Sequence, residues 1–538
     1  MIDDIDRLNA AETRQIFQLV KLTARFPYVT YVLAFDRSAV ASALEGVGVD
    51  SGEEYLEKIV QVSFDLPPIS DATLSSFITG GIDLLLAKYK PAHFDMHRFG
   101  NMFHGGFRSA FSSVRHVRRF LNGLEFSLSL IGNELNGVDV IGVEALKTFY
   151  PHIFEVVKNN QDLFAGHNDT STQKLGAPEY RKKLDGLLTA TGELNEDSTN
   201  LLIELFPKLE YAYSTTHTMH GHEWEREWEK AFRVATARYF SAYFQLTLAP
   251  SEVSLAELSQ LISESGNTAM CSQHLRALAA QGKLKATMDS LRFRLQEVPP
   301  ESLQLLLAAL IGVGDIASES GAIFAGRIPE YFHVRWAIFD TLDRVPATSR
   351  PGVLLDIAHG VLAPRTMVNV VSLIEELRQK ENKYPEFTDD RLNELKEAVA
   401  ARISAAAAGG EISIVPDSLT TLLYAWRKWG DPKAAEAYVK SLTDTDEKLA
   451  AFLNKFIYQT HSAGLGDHAM TTHNRLAMKQ LSESMDLGTL RERLDTVDVL
   501  KMSEADRDVV SFAKSQLDKM LEKSLTPEQF DNNRFYDD

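Results

Sequence analysis

The sequence has very little cysteine: Cys271 is the single one among 538 residues. One thiol excludes an internal disulfide and any metal site that needs several cysteine ligands, which is typical of a reducing compartment. We expect an isolated cysteine of this kind to be a buried apolar side chain. The acidic start MIDDIDRLNAAE lacks the apolar core of a signal peptide, so we expect a cytoplasmic protein.

Long apolar runs and an excess of positive charge are also missing. The longest apolar run, residues 305–314 (LLLAALIGVG), is about half of the ~20 residues that a membrane-crossing helix needs, so no membrane span is expected. The net charge is -18, which repels phosphate backbones and disfavours generic nucleic-acid binding. With 44% hydrophobic residues, the composition is that of a globular protein of several domains.

Common catalytic signatures are absent as well. The 538 residues contain no G-x-x-x-x-G-K-[ST], G-x-S-x-G, H-E-x-x-H or C-x-x-C pattern, which excludes the common hydrolase and zinc motifs. The densest group of imidazoles, His217, His220 and His222 in THTMHGHEWE, offers metal ligands if the chain turns tightly at Gly221. Their spacing matches no common zinc motif, so we favour an exposed helix start.

Two short apolar segments near the start indicate strands. Residues 28–35 (YVTYVLAF) follow a helical stretch closed by Phe26-Pro27, and residues 59–66 (IVQVSFDL) end at two prolines. Alternating helix and strand in the first 68 residues predicts a piece of a parallel α/β sheet.

Beyond residue 68 the apolar pattern is helical. One stripe predicts a helix that carries Arg115, Arg118 and Arg119 away from its apolar face; its members are Val117, Phe120, Leu121, Leu124, Leu128 and Ile131. Residues 165–179 read as a loop. Further helices are predicted at 197–206, 223–244, 255–265, 270–281 and 389–408 and in a block from about 418 to a frayed end. Helix pairs after residue 300 could stack as an irregular solenoid.

Four segments together resemble the distal part of the KAP family of P-loop NTPases: MIDDIDRL, FPYVTYVLAFDRSAV, GEEYLEKIVQVSFDLPP and RHVRRFLNGLEFSL, in this order and spacing. A looser match extends over EALKTFYPHIFEVVKNNQDLF, RYFSAYFQL and LLYAWRKWGD. The resemblance implies a mainly α protein, in which the remnant of a P-loop NTPase α/β parallel sheet precedes a helical lid and a long α-helical C-terminal region. The expected parts are 1–68 (α/β segment), 69–164 (lid), 165–250 (connector) and 251–538 (C-terminal region).

The resemblance also implies roles for an acidic pair. Asp3 and Asp4 fall on the Walker B motif, where one carboxylate helps to hold Mg²⁺, usually through water, and its neighbour helps to orient the attacking water. Phosphoryl transfer needs such groups because it depends on positioning and on neutralising the phosphate oxygens.

Basic residues would complete the nucleotide site in this family. Asp36 and Arg37, after the 28–35 segment, would lie at the carboxyl edge of the sheet, with Arg37 placed to sense the γ-phosphate. Arg118 or Arg119 would reach the nucleotide from the lid. Alternatively, Asp36 and Arg37 form a helix cap with a salt bridge, and the RHVRR face is only solvated or paired with acidic neighbours.

The family pattern also requires a phosphate-binding loop and a strand before the acidic pair, where this sequence has only Met1 and Ile2. We therefore predict that this chain alone neither binds Mg²⁺ and ATP tightly nor hydrolyses ATP. Three explanations stay open: a misplaced start or interrupted gene, a Walker A half on a separate partner chain, or a degenerate binding module. We favour the first two jointly.

Two functions follow from these alternatives. The first is an ATPase component of a kind that the resemblance links to bacterial defence against phage or plasmids, whose nucleotide state moves the helical region against a protein partner or within an oligomer. The second is a non-hydrolysing helical scaffold that binds another protein.

Overall fold

The computed structural model describes residues 1–23, 26–45, 51–67, 69–168, 175–318, 328–360, 363–410, 412, 419–462 and 471–532. The chain divides into two compact units, Met1–Ile78 and Thr79–Asp538, and each is described by itself. Helices dominate both units, and the described residues contain one regular sheet of two strands. The expectation of a mainly α fold is therefore confirmed.

The first unit is a small helical cluster around a single stretch of paired extended chain. Its helices are Ile5–Arg7 (3-10), Ala10–Thr23, Arg37–Glu45 and Gly52–Glu57, and the helix Asp71–Tyr89 begins in it. Their apolar faces enclose a core formed by Ile5, Phe17, Val40, Ala41, Leu44 and Leu56. This core fixes the positions of the loops that carry the predicted acidic residues.

The predicted strand over 28–35 is wrong as a regular strand. The segment makes one parallel bridge, between Leu33 and Ile2, and Tyr28 has a left-handed φ of 64°. A strand gains its stability from partners hydrogen-bonded along its length, and the described residues give this segment one paired position. The remnant of a parallel sheet is thus a single bridge.

The predicted strand over 59–66 is also wrong. The segment is irregular, and its alternate apolar side chains Val62, Phe64 and Leu66 are 66%, 88% and 93% exposed. Apolar alternation favours a strand when one face packs on a core, and here that face meets solvent within the described part of the unit.

After the helix Asp71–Tyr89, the second unit continues with a series of helices, three of which carry the contacting rings of Phe103, Phe107, Phe120 and Phe149. They are Met96–Met102, Phe103–Phe107 (π), Arg108–Ala110 (3-10), Val114–Ile131, Gly137–Phe149, Pro151–Asn159 and Gln161–Phe164. The apolar stripe of Val114–Ile131 faces inward as predicted: it is buried at all of its positions except Leu121, which is half-buried. Ser113 begins this helix by accepting a hydrogen bond from the main chain of His116.

The middle of the second unit departs from two predictions. Its helices are Ala177–Leu188, Thr189–Thr191 (3-10), Glu196–Leu205, Pro207–Leu209 (3-10), Glu210–Tyr213, His222–Lys230 and Phe240–Gln245. The predicted loop over 165–179 falls partly outside the described residues, and Ala177 already begins a helix. The single helix predicted over 223–244 is broken after Lys230, because the following turns bury Arg233 against Asp139.

A continuous core runs through the rest of the second unit, from Val253 to Phe530. Its helices before residue 410 are Leu255–Ser263, Glu264–Gly266 (3-10), Thr268–Ala280, Leu284–Arg294, Leu295–Glu297 (3-10), Pro300–Ser302 (3-10), Leu303–Gly314, Glu330–Arg344, Ala347–Ser349 (3-10), Arg350–Gly360, Pro364–Glu381 and Asp389–Ala408. The helix Asp389–Ala408 has the predicted bounds and the predicted Thr388 cap. Cys271 is buried, as expected.

The final block is not all helical. The helices Leu419–Trp429, Pro432–Leu442 and Asp446–Asn454 precede an antiparallel hairpin of Ile457–Ser462 and Thr471–Leu476, in which Ile457 pairs with Leu476 and Ser462 with Thr471. The helices that follow are Met478–Ser484, Leu487–Asp495, Val499–Lys501 (3-10), Glu504–Glu522 and Pro527–Asn532. The predicted frayed end lies mostly outside the described residues. Every helix in the described part of the chain is too short or too polar to cross a lipid bilayer.

Candidate functional site

The acidic pair lies on the surface of the first unit, held from both sides by apolar neighbours. Ile2 packs against the core and Ile5 is fully buried, which leaves Asp3 and Asp4 between them exposed to solvent. The Asp3 carboxylate accepts a hydrogen bond from the Asp4 main chain at 2.9 Å. Asp4 has a left-handed φ of 58° and pairs with Arg7 at 3.2 Å.

The parallel bridge sets the direction of the two extended segments. The Ile2 N–H donates to the Val32 carbonyl at 2.8 Å, and the Ala34 N–H donates to the Ile2 carbonyl at 2.9 Å. Neighbouring chains of a sheet are about 4.8 Å apart, and parallel chains leave the bridge in the same direction. Asp3 and Asp36 therefore both follow the bridge on its carboxyl side.

Asp36 and Arg37 already have structural partners in this unit. Asp36 caps the helix Arg37–Glu45: its carboxylate accepts from the Ala39 N–H at 2.9 Å and from the Ser38 hydroxyl at 2.7 Å. These hydrogen bonds lower the pKa of Asp36. The Arg37 guanidinium donates to Glu53 at 2.7 Å, and this pairing raises the pKa of Arg37. A cap with a salt bridge thus accounts for both side chains geometrically.

The other two predicted site residues lie in the second unit. Arg118 and Arg119 are exposed on the polar face of Val114–Ile131, and Arg119 donates to the Thr148 carbonyl at 3.4 Å. That contact ties this face to the helix Gly137–Phe149. The structure thus groups Asp3, Asp4, Asp36 and Arg37 in one unit and the two arginines in the other, and their roles at a nucleotide remain predictions.

The donor chemistry of the acidic pair fits a hard divalent cation. Carboxylate oxygens are the ligands that Mg²⁺ prefers, and the Asp4 side chain is 55% exposed and open to a hydrated ion. A loop that would bind the phosphates has no counterpart here, because the 538 residues contain no Gly-Lys-Ser/Thr motif. Asp3 and Asp4 therefore fit Mg²⁺, whereas the main phosphate-binding motif for a nucleotide is missing from these residues.

A buried charge network in the second unit was missed by the sequence reasoning. Asp139 is fully buried and contacts the guanidinium of Arg98, that of Arg233 at 3.6 Å and the Val234 N–H at 2.8 Å. Burial lowers the pKa of Arg233 to about 10. These residues are far apart in sequence and sit in segments with ordinary helical patterns, so no local signal marks them. Their contacts stabilise the fold by tying three segments together.

The three predicted histidines separate in the structure. His217 is exposed, while His220 is buried and pairs with Glu210 at 3.1 Å. His222 begins a helix and is exposed, as the favoured interpretation predicted. It contacts Glu225 at 3.5 Å, and Glu225 also contacts His167 at 2.5 Å. The His-x-x-Glu spacing on one helix face is a signal for the first contact, and none exists for His167.

Comparison with known proteins adds a family to this geometry. The KAP family P-loop domain matches residues 1–131, so the resemblance read from the sequence is confirmed for that part of the chain. A protein of Escherichia coli strain K12 named Phage T7 exclusion protein is 38% identical over 68 residues, which are 12% of this chain and 9% of that protein. The chain thus covers less than a tenth of this curated relative. No solved structure matches the chain.

Proposed function

We propose, from the match of residues 1–131 to the KAP family P-loop domain, that this chain forms the distal portion of a KAP-type NTPase that acts in bacterial exclusion of phage. The match is the observation that carries the proposal. The phage role rests on the name of the 38% identical relative, which the chain matches over 68 residues.

In this proposal Asp3 and Asp4 are the Walker B carboxylates. Mg²⁺, when bound, supplies positive charge that neutralises the phosphate oxygens. Asp3 and Asp4, which follow the Ile2–Leu33 bridge at the surface, would bind the water molecules around the ion and orient the attacking water. The exposure of both carboxylates supports this role, because an ion and its hydration shell need an open approach.

We infer that the phosphate cradle is supplied by residues other than these 538, since the sequence has no Walker A motif. A single bridged position holds the acidic pair less firmly than a central strand paired on both sides. A phosphate loop on a neighbouring strand would add that second partner. Nucleotide binding and hydrolysis therefore depend on the added segment, on the same polypeptide or in a partner, and the nucleotide state moves the helical region.

A phage-plating assay tests the proposal in cells that express the full chain with its native neighbours. Asp4→Asn removes the charge and leaves the fold intact, because asparagine also tolerates the left-handed φ of 58° at this position. We expect Asp3→Asn and Asp4→Asn to abolish protection. Asp6→Asn is the matched control, since Asp6 is an exposed carboxylate of the same stretch, and it should protect like wild type.

A binding assay on the purified chain tests the inferred division of the site. We expect titration with Mg-ATP to show no micromolar binding and no turnover by the chain alone. Micromolar binding with turnover that Asp4→Asn abolishes would contradict the inferred external cradle, while the proposed role of Asp4 would stand.

A helical scaffold without hydrolysis is the second candidate, and one observation favours it. Asp36 and Arg37 are engaged as a helix cap and a salt bridge, which accounts for them without nucleotide. If Asp4→Asn and Arg119→Ala leave phage protection intact while surface substitutions after residue 250 abolish it, the scaffold function replaces the ATPase function.

A further inference from the structure

A cluster of two imidazoles and a carboxylate lies in the second unit, outside the proposed nucleotide site. Its members are His167, His222 and Glu225, and each offers one donor atom that lies within 4.8 Å of the other two. Donors in a tetrahedral zinc site are roughly 3.3 Å apart, as bonds of 2.0–2.1 Å require. The two contacts made by Glu225, at 2.5 and 3.5 Å, bracket that separation.

Main-chain hydrogen bonds hold His167 in place beside the helix. The Gly166 N–H donates to the Ala235 carbonyl at 2.7 Å, and the Asn168 N–H donates to the His220 carbonyl at 2.9 Å. The Asn168 side chain also accepts a hydrogen bond from the His220 N–H at 2.9 Å. The residues on both sides of His167 are therefore tied to the segments that flank the helix His222–Lys230.

The other two donors share one face of that helix. His222 and Glu225 are three residues apart, which places their side chains next to each other. The helix is anchored by Trp228, which is 5% exposed. The Glu225 side chain is 15% exposed and the His222 side chain 75% exposed. The cluster is therefore shielded from solvent at Glu225 and open to solvent at His222.

We propose that His167, His222 and Glu225 bind a divalent transition-metal ion, with Zn²⁺ as the ion of best fit. Two imidazole nitrogens and one carboxylate oxygen are a borderline donor set that suits Zn²⁺ and not Mg²⁺ or Ca²⁺, which prefer oxygen ligands. The open side at His222 leaves a fourth position for water. The bound ion joins the 166–168 segment to the helix His222–Lys230.

The Glu225 carboxylate already contacts both imidazoles, at 2.5 Å for His167 and 3.5 Å for His222. The distinguishing feature is convergence: two separated segments deliver three donors to one point, and the main chain on both sides of His167 is already fixed. Little ordering entropy remains to be lost on binding, which favours affinity.

The test is a titration of the full chain, freed of metal by a chelator, with Zn²⁺ and separately with Co²⁺. We expect one ion per chain, a visible Co²⁺ absorption band typical of imidazole coordination, and a rise in melting temperature with Zn²⁺ concentration. His222→Ala and Glu225→Gln should each weaken Zn²⁺ binding by at least about tenfold, the loss that even an outer-shell substitution can cause. Mg²⁺ at the same concentration should leave the signal unchanged.

Two matched controls separate the site from adventitious binding by surface side chains. His217→Ala removes an exposed histidine five residues from His222, and Glu223→Gln removes an exposed carboxylate of the same helix. Both should bind Zn²⁺ like wild type. His167→Gln keeps a hydrogen-bonding side chain towards Glu225, so its circular dichroism should match wild type while Zn²⁺ affinity falls. The proposal is overturned if wild type binds Zn²⁺ no better than His222→Ala, or if His217→Ala loses binding and His222→Ala keeps it.

Discussion

The buried carboxylate of Asp139 provides the sharpest test of the fold of the second unit. It is fully buried between two guanidinium groups whose side chains are 14% (Arg98) and 10% (Arg233) exposed. Replacing it by asparagine keeps the shape and removes the charge that balances both arginines. The carbonyls of Glu204 and Leu205 would remain as their acceptors.

The expected cost follows from leaving buried charge uncompensated. Removing one partner of a buried ion pair costs about 3–5 kcal/mol. Asp139→Asn weakens its contact with each arginine, while the Val234 N–H can still donate to the asparagine oxygen, so we expect a value in this range. Because about 1.4 kcal/mol is a factor of ten, local opening should become roughly a hundredfold to several thousandfold more frequent.

Hydrogen exchange followed by mass spectrometry measures this directly, because it reports the opening of each segment without assuming that the whole chain unfolds in one step. We expect faster exchange in peptides of the helix Gly137–Phe149 and of residues 231–236. Glu125→Gln is the control: it breaks the exposed pair with Lys88 at 2.8 Å, which solvent screens. Equal exchange in the two variants would refute the role assigned to Asp139.

Three further predictions concern the pH dependence of stability, a close helix contact and a helix cap. Burial raises the pKa of Glu229 from 4.5 to about 7. Between these two pH values the folded chain binds more protons than the unfolded chain, so its free energy of unfolding falls as the pH rises. Glu229→Gln should remove this fall, which is on the order of 3 kcal/mol between pH 5 and 8, as measured by denaturation at each pH. Gly52→Ala places its Cβ 2.0 Å from the Ala41 carbonyl oxygen and should destabilise residues 1–78 by about 3 kcal/mol, measured as faster hydrogen exchange. Gly186→Ala is the control: Gly186 has open space around it, so the substitution should not destabilise its helix. Thr388→Ala should cost about 1 kcal/mol at the start of Asp389–Ala408, seen as faster exchange of its first turn; an unchanged rate would contradict the capping role.

Helices with a strong apolar stripe and clear end signals were predictable from sequence. The helix Asp389–Ala408 has its predicted bounds because Thr388 can cap it and glycines follow it, which are interactions within one segment. The stripe of Val114–Ile131 likewise marks its buried face. The hairpin of Ile457–Ser462 and Thr471–Leu476 was missed, because its strands are short and polar and become strands only by pairing with each other.

The candidate site divides in the same way. The order of four local segments was enough to indicate the family that matches residues 1–131, and the exposed position of Asp3 and Asp4 follows from their apolar neighbours. Whether 28–35 becomes a strand depends on which chains lie beside it, and Ile2 is the neighbour that pairs with it.

The helical character of this protein, its acidic charge and its family resemblance can be read from the chain without a structure, since they depend on residue type and on spacing along one segment. Which distant groups meet depends on the packing of the folded chain. It placed Asp139 between two arginines and brought His167 to Glu225, 58 residues away in the chain. Such contacts are set by how helices pack, because a side chain's partner across a core leaves no mark in the local pattern.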